Sequence, residues 1–128
     1  VEVTACFDDY DIERALDEVF RCPDITFGVP SDYGSTLSRF HALHLDAITK
    51  KTTVIVIGDG RTNYGDPKED MLQAIRERAR RVLWLNPEAE ALWGTGDSEM
   101  LTYEACCHDA RSCRNLDQLR AFFEDLVL

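Results

Sequence analysis

Hydrophobic and polar positions along this chain follow two different periods in turn. Val1, Val3 and Ala5 alternate with Glu2 and Thr4, which predicts a short strand over residues 1–7. Residues 8–11 supply turn and N-cap chemistry, and Ile12, Ala15, Leu16, Val19 and Phe20 then fall at helical spacing. Residues 22–33 carry prolines and aspartates around a short apolar run and read as a loop. A second helical pattern starts at Ser35, with Leu37, Phe40, Leu43, Leu45 and Ile48 as a broad apolar face ending at Lys50 and Lys51. Residues 52–57 form the clearest strand. Val54, Ile55, Val56 and Ile57 are apolar without alternation, as in a strand covered on both faces, and the run stops at Gly58-Asp59-Gly60.

The next helix has a marked start, with Asp66 as N-cap, Pro67 at its first position and Glu69 as the capping-box acid. Met71, Leu72, Ile75 and Ala79 supply its inner face. Residues 82–85 (Val-Leu-Trp-Leu) read as a second buried strand, and residues 86–114 as polar and irregular. Asn115 and Gln118 cap a last helix striped by Leu116, Leu119, Phe122, Phe123 and Leu126. Strands and helices in alternation predict a three-layer α/β/α domain with a mostly parallel, Rossmann-like sheet, read as one domain over residues 1–128. Ligands of such sheets sit beyond the carboxyl ends of the strands, where Asp59 stands.

Composition narrows the partners. With 45% hydrophobic and 30% charged residues, the 128-residue chain has the profile of an ordinary globular domain. No apolar run reaches the roughly 20 residues that a membrane span needs. The acidic excess, 24 Asp and Glu against 14 Lys and Arg for a formal charge of −10, argues against nucleic acid and membrane surfaces. Cations and basic protein surfaces are the better partners. Five cysteines, Cys6, Cys22, Cys106, Cys107 and Cys113, are an odd number in a chain with no secretory signal, which points to a reducing cytoplasm.

Three clusters could carry chemistry. Gly58-Asp59-Gly60-Arg61-Thr62-Asn63 follows the buried strand, and a carboxylate between glycines can approach a bound cation closely; an ordinary strand-to-helix turn uses the same residues. Ser31-Asp32-Tyr33-Gly34-Ser35-Thr36-Leu37 opens a helix; Ser31 is a hard oxygen donor suited to Mg²⁺ or Mn²⁺, and an ordinary cap again needs no more. Cys106-Cys107-His108 with Cys113 brings soft ligands together without the paired C-x-x-C of a zinc knuckle. His41 and His44 share a helix with no matching acid nearby. No pattern places a nucleophile beside a base, so the sequence predicts no active site.

Taken together, the first two clusters resemble the von Willebrand factor A domains. Ser31-Asp32-Tyr33-Gly34-Ser35-Thr36-Leu37 looks like their T-x-T-G-x-A-L segment with Ser31 at the metal-binding Thr position, and the strand ending at Asp59 resembles the one whose aspartate completes the metal-ion-dependent adhesion site. Trp84-Leu85-Asn86-Pro87-Glu88 and residues 93–100 are similar to a bacterial branch, the CoxE-like proteins. The resemblance implies Ser31 and Asp59 as ligands of Mg²⁺ or Mn²⁺. Asp32, Tyr33, Arg61, Asn63 and Trp93 would frame the partner surface. It further implies a non-enzymatic domain whose partner is a protein, a MoxR-type AAA+ ATPase, in protein or metal-cofactor maturation.

The first of the family's three site loops, D-x-S-x-S, does not occur in this sequence; Asp8, Asp9 and Asp11 follow the wrong element and lack the serines. The expectation is that the chain corresponds to the C-terminal two thirds of the family domain, that it binds Mg²⁺ weakly or not at all, and that an exposed sheet edge lets it self-associate. The competing expectation is a haloacid dehalogenase-like phosphatase fragment, in which Asp59 would bind Mg²⁺ and Lys50 or Lys51 would steady a phosphorylated group. Its glycine-aspartate spacing is off by one residue, and its D-x-D-x-T motif is absent.

Overall fold

The computed structural model describes residues 32–127 together with Arg14 and Arg21, the side chain of residue 127 excepted. The strand, cap, helix and loop expected over residues 1–31 lie otherwise outside the described residues, as do Ser31, Cys6 and Cys22. The chain separates into two compact units, Val1–Pro30 and Ser31–Leu128, and the architecture that follows is that of the second.

Its sheet has three strands, β1 (Thr53–Ile57), β2 (Arg81–Asn86) and β3 (Asp109–Ser112), parallel and in that spatial order. Four α-helices accompany them: α1 (Tyr33–His44), α2 (Glu69–Arg78), α3 (Met100–Ala105) and α4 (Leu116–Val127). Val54 pairs with Val82 and Val56 with Trp84, while Trp84 pairs with Ala110 on the other side. Side chains alternate across a strand, so these residues share one face. There they pack with Leu37, Leu72, Ile75, Met100 and Tyr103 of α1, α2 and α3. Ile55, Leu83 and Leu85 point the other way, onto Leu119, Phe122 and Leu126 of α4. The result is the expected helix–sheet–helix layering with a parallel sheet.

Several boundaries differ from the sequence reading, each for a physical reason. α1 stops at His44 and tightens into a 3₁₀ turn, Leu45–Ala47, rather than running on to the lysines. Leu43 lies six residues past Leu37, about 120° off the inner face, and is 63% exposed, whereas Ile48 returns to the core on extended backbone. β1 is not buried on both faces: its residues are half-buried and Ile57 is 71% exposed, while the central β2 is buried almost throughout.

α2 starts at Glu69, later than the Asp66 signal predicted. The Asp66 carboxylate accepts the Lys68 N–H at 3.0 Å in a turn, and Lys68 takes left-handed backbone (φ 52°) ahead of the helix. The Pro67 carbonyl accepts instead from the Tyr103 hydroxyl at 2.8 Å. Residues 86–114 hold α3 and β3, which the sequence reading missed. β3 reads Asp-Ala-Arg-Ser, and only Ala110 faces the large core. The α4 start is as expected: the Gln118 N–H donates to Asn115 Oδ1 at 2.9 Å, and Gln118 Oε1 accepts the Arg114 N–H at 2.6 Å.

Candidate functional site

The carboxyl end of β1 delivers Asp59 into a cradle made by three segments. Gly58 precedes it, and a Cβ there would stand 2.1 Å from the Tyr33 hydroxyl, so only glycine lets the phenol lie over the strand end. The Tyr33 O–H donates to Asp59 Oδ1 at 3.2 Å, and the Arg61 backbone N–H donates to the same oxygen at 3.0 Å. Among the described residues nothing donates to Asp59 Oδ2. The carboxylate thus has one oxygen engaged and one to offer. Burial, reinforced by the charge of Asp59, pushes the Tyr33 phenol above its usual range despite an opposing backbone interaction with Gly60, so at neutral pH it remains a donor. Its ring tilts against Trp84 and Tyr103, which stack on each other at 4.9 Å.

The Trp-Leu-Asn-Pro-Glu segment holds the Asp59 loop from beneath. Trp84 and Asn86 lie on one face of β2, two residues apart, and Glu88 follows at the same spacing beyond Pro87. Trp84 Nε1 donates to the Gly58 carbonyl at 2.8 Å and Asn86 Nδ2 to the Asp59 carbonyl at 3.0 Å. Asn86 is fully buried, and its Oδ1 accepts the Glu88 N–H at 2.8 Å, which satisfies both ends of the amide. Glu88 grips Arg61 with two oxygens, at 2.8 Å to Nε and 3.0 Å to Nη2. Three side chains at alternate positions therefore fix residues 58, 59 and 61.

A second grip comes from the 93–99 loop. Arg61 Nη1 donates to Asp97 Oδ1 and to the Thr95 carbonyl, both at 3.0 Å. Asp97 Oδ2 accepts the Asn63 N–H at 2.9 Å, and Arg61 forms an isolated antiparallel bridge with Ser98. The hydrogen bond from Arg61 is the main reason that the Asp97 carboxyl lies below the usual carboxylate range.

The predicted residues come apart into separate roles. Asp59 and Tyr33 meet directly. Asp32 is the N-cap of α1: its Oδ1 accepts the Ser35 N–H at 3.0 Å and its Oδ2 the Ser35 hydroxyl at 2.7 Å, which together lower its carboxyl below the usual range. Arg61 is held in ion pairs, and Asn63 is exposed on left-handed backbone (φ 53°). Trp93, expected at the partner surface, is 6% exposed and packs in the core with an indole N–H that has no acceptor among the described residues. The Glu88, Asp97 and Asn86 contacts were not predicted; the alternate spacing of Trp84, Asn86 and Glu88 after a strand was the available signal.

Other candidates lie elsewhere. Lys50 and Lys51 precede β1, at the end of the strand opposite Asp59, and the Lys50 ammonium donates to the Glu77 carbonyl. The pairing of lysine with Asp59 that a dehalogenase-like hydrolase needs is not formed. Cys106 and Cys107 are buried on the α2–α3 side, whereas Cys113 packs against the α4 cluster. Burial pushes the Cys107 thiol up to about 12. Among the described residues no group of three or more His, Cys, Asp or Glu side chains is arranged to hold a metal ion. At the β1 end Asp59 Oδ2 is a hard oxygen, right in kind for Mg²⁺ or Mn²⁺, which take about six ligands.

Parallel strands between helices, with an aspartate at the carboxyl end of a strand, define an α/β Rossmann-type domain. The chain belongs to the family of VWA domain containing CoxE-like proteins, which it matches over residues 1–122. Among curated proteins and among solved structures no significant match was found.

Proposed function

We propose that this chain is a non-enzymatic interaction domain that captures a protein partner through a cation held at Asp59. The observation that carries the reading is the asymmetry of the Asp59 carboxylate, with Oδ1 fixed by Tyr33 and Arg61 and Oδ2 without a donor among the described residues. Ser31 is the second ligand, and Mg²⁺ or Mn²⁺ the cation, bound weakly by this chain alone. An acidic partner side chain completes the coordination, and Asp32, Tyr33 and Asn63 lie around the contact. Arg61 acts indirectly, by holding the loop. Trp93 supports this surface from the core.

Membership of the CoxE-like family supports a MoxR-type AAA+ ATPase as the partner, in protein or metal-cofactor maturation in the bacterial cytoplasm. No described helix is long and apolar enough to cross a membrane. The test is capture of a purified MoxR-type ATPase on this chain in Mg²⁺ and in chelator. Capture should be lost in chelator and with Asp59→Ala. Equal capture by the wild-type chain and Asp59→Ala would refute the assignment of Asp59.

A further inference from the structure

A pocket of about 200 Å³ opens at the other end of the sheet from Asp59, where β2 and β3 begin. Leu83, Phe122 and Leu126 give it an apolar floor between the sheet and α4; Arg81, His108 and Arg111 supply its donors. Its charges are unevenly committed. Arg111 pairs with Asp109 and with Asp125, each at 2.8 Å, and lies 5.6 Å over the Phe122 ring, so both rim carboxylates already have a cation. Arg81 has no ion pair among the described residues, and its Nε is buried without an acceptor.

A buried guanidinium N–H with no partner among the described residues has given up its hydration without compensation, and a carboxylate is the group that would restore it. His108 adds a second donor. Its Nδ1 accepts the Val82 N–H at 2.9 Å, which places the remaining ring proton of the neutral form on Nε2.

We propose that this pocket binds a carboxylate carrying one apolar branch, with the carboxylate on Arg81 and the branch on Leu83, Phe122 and Leu126. Size limits the ligand. Cofactor and drug-sized sites are about 300–1,000 Å³, whereas a cavity of about 150 Å³ takes a benzene-sized group. A pocket between these accepts a single residue or a short acid, so the ligand is the carboxyl terminus of a partner chain ending in an aliphatic residue, or a small free acid of the same chemistry. The carboxylate is the recognised group in either case, because of the two arginines lining the pocket Arg111 is ion-paired and Arg81 has no ion pair among the described residues. The pocket does not depend on a metal ion or on Asp59.

The experiment is an NMR titration of the chain with N-acetyl-Ala-Leu, its carboxamide and isovalerate. N-acetyl-Ala-Leu should shift the Leu83 and Leu126 methyls, the Phe122 ring and the Arg81 Nε–H, and its carboxamide should bind at least about tenfold more weakly, the loss of one charge-assisted hydrogen bond. Arg81→Gln should weaken the acid by a similar factor while leaving the rest of the spectrum in place. If the variant fails to fold, the acid–amide comparison on the wild-type chain still decides. Tighter binding of the peptide than of isovalerate identifies a chain terminus; equal binding identifies a small acid. Equal binding of acid and carboxamide, or no shift at these residues with any probe, would overturn the proposal.

Discussion

Asp59 carries two unlike oxygens, and the difference originates in two neighbours. Removing the Tyr33 hydroxyl leaves Oδ1 with the Arg61 N–H alone. Tyr33→Phe keeps the ring against Trp84 and Tyr103, so chemical denaturation should show a loss of only about 1.5–3 kcal/mol, the range for one hydrogen bond to a charged group. A far larger loss would mean that the ring had moved. Asp32 and Asp97 make a prediction about pH. Both carboxyls lie below their usual range, held there chiefly by Ser35 and Arg61 respectively. The folded state then binds these protons more weakly than the unfolded state, so their contribution is complete above about pH 4 and is lost as pH falls through the lowered values. Urea midpoints measured from neutral pH downwards should fall below that point, and Asp97→Asn should flatten the fall.

Among the elements, β2 does most to shape the site. Leu83 and Leu85 face α4, while Trp84 and Asn86 reach Asp59's loop. Asn86→Ala would leave the half-buried Asp59 carbonyl and Glu88 N–H without the partners that the fully buried Asn86 amide supplies. At about 1–3 kcal/mol for each group, thermal unfolding should show a loss of about 2–6 kcal/mol. Glu88→Gln is gentler. It should leave the fold intact while hydrogen exchange of the Arg61 and Asn63 amides accelerates, because the guanidinium loses its two-pronged carboxylate. Unchanged exchange at those amides would mean that Asp97 holds the loop unaided.

The same elements explain what the sequence could reveal. β2 and α4 were legible because dense apolar patterning and a reciprocal cap mark them. α2 began late because the turn at Asp66–Lys68 answers to Gly34, where a Cβ would stand 2.2 Å from the Asp66 carbonyl. That contact joins residues far apart in the chain. β3 was invisible because its Asp-Ala-Arg-Ser run carries a single apolar residue, and its charged Asp109 and Arg111 read as solvated positions. Asp59 could be read from its place after an apolar strand. Its partners Arg61, Glu88 and Asp97 could not, since a charged residue in a polar stretch reads as solvated until the fold closes it into a pair.

At the scale of the whole molecule, net charge and the two ends of the sheet set the pattern of contacts. A chain with a formal charge of −10 attracts cations and basic surfaces at long range and repels acidic ones. An acidic partner side chain can approach the Asp59 end only if a metal ion stands between the carboxylates. Capture through Asp59 should therefore require a divalent cation and should not be replaced by monovalent salt. The opposite end, where Arg81 has no ion pair among the described residues, should have the reverse preference.

The most direct test of the account is a Mn²⁺ titration of this chain followed by electron paramagnetic resonance, beside Asp59→Asn. The account predicts weak, saturable binding, on the order of millimolar as befits a site with few protein ligands. Mg²⁺ should displace the Mn²⁺, and Asp59→Asn should abolish binding without shifting the melting temperature. Mn²⁺ binding of the same strength in the wild-type chain and in Asp59→Asn, or none in either, would contradict it.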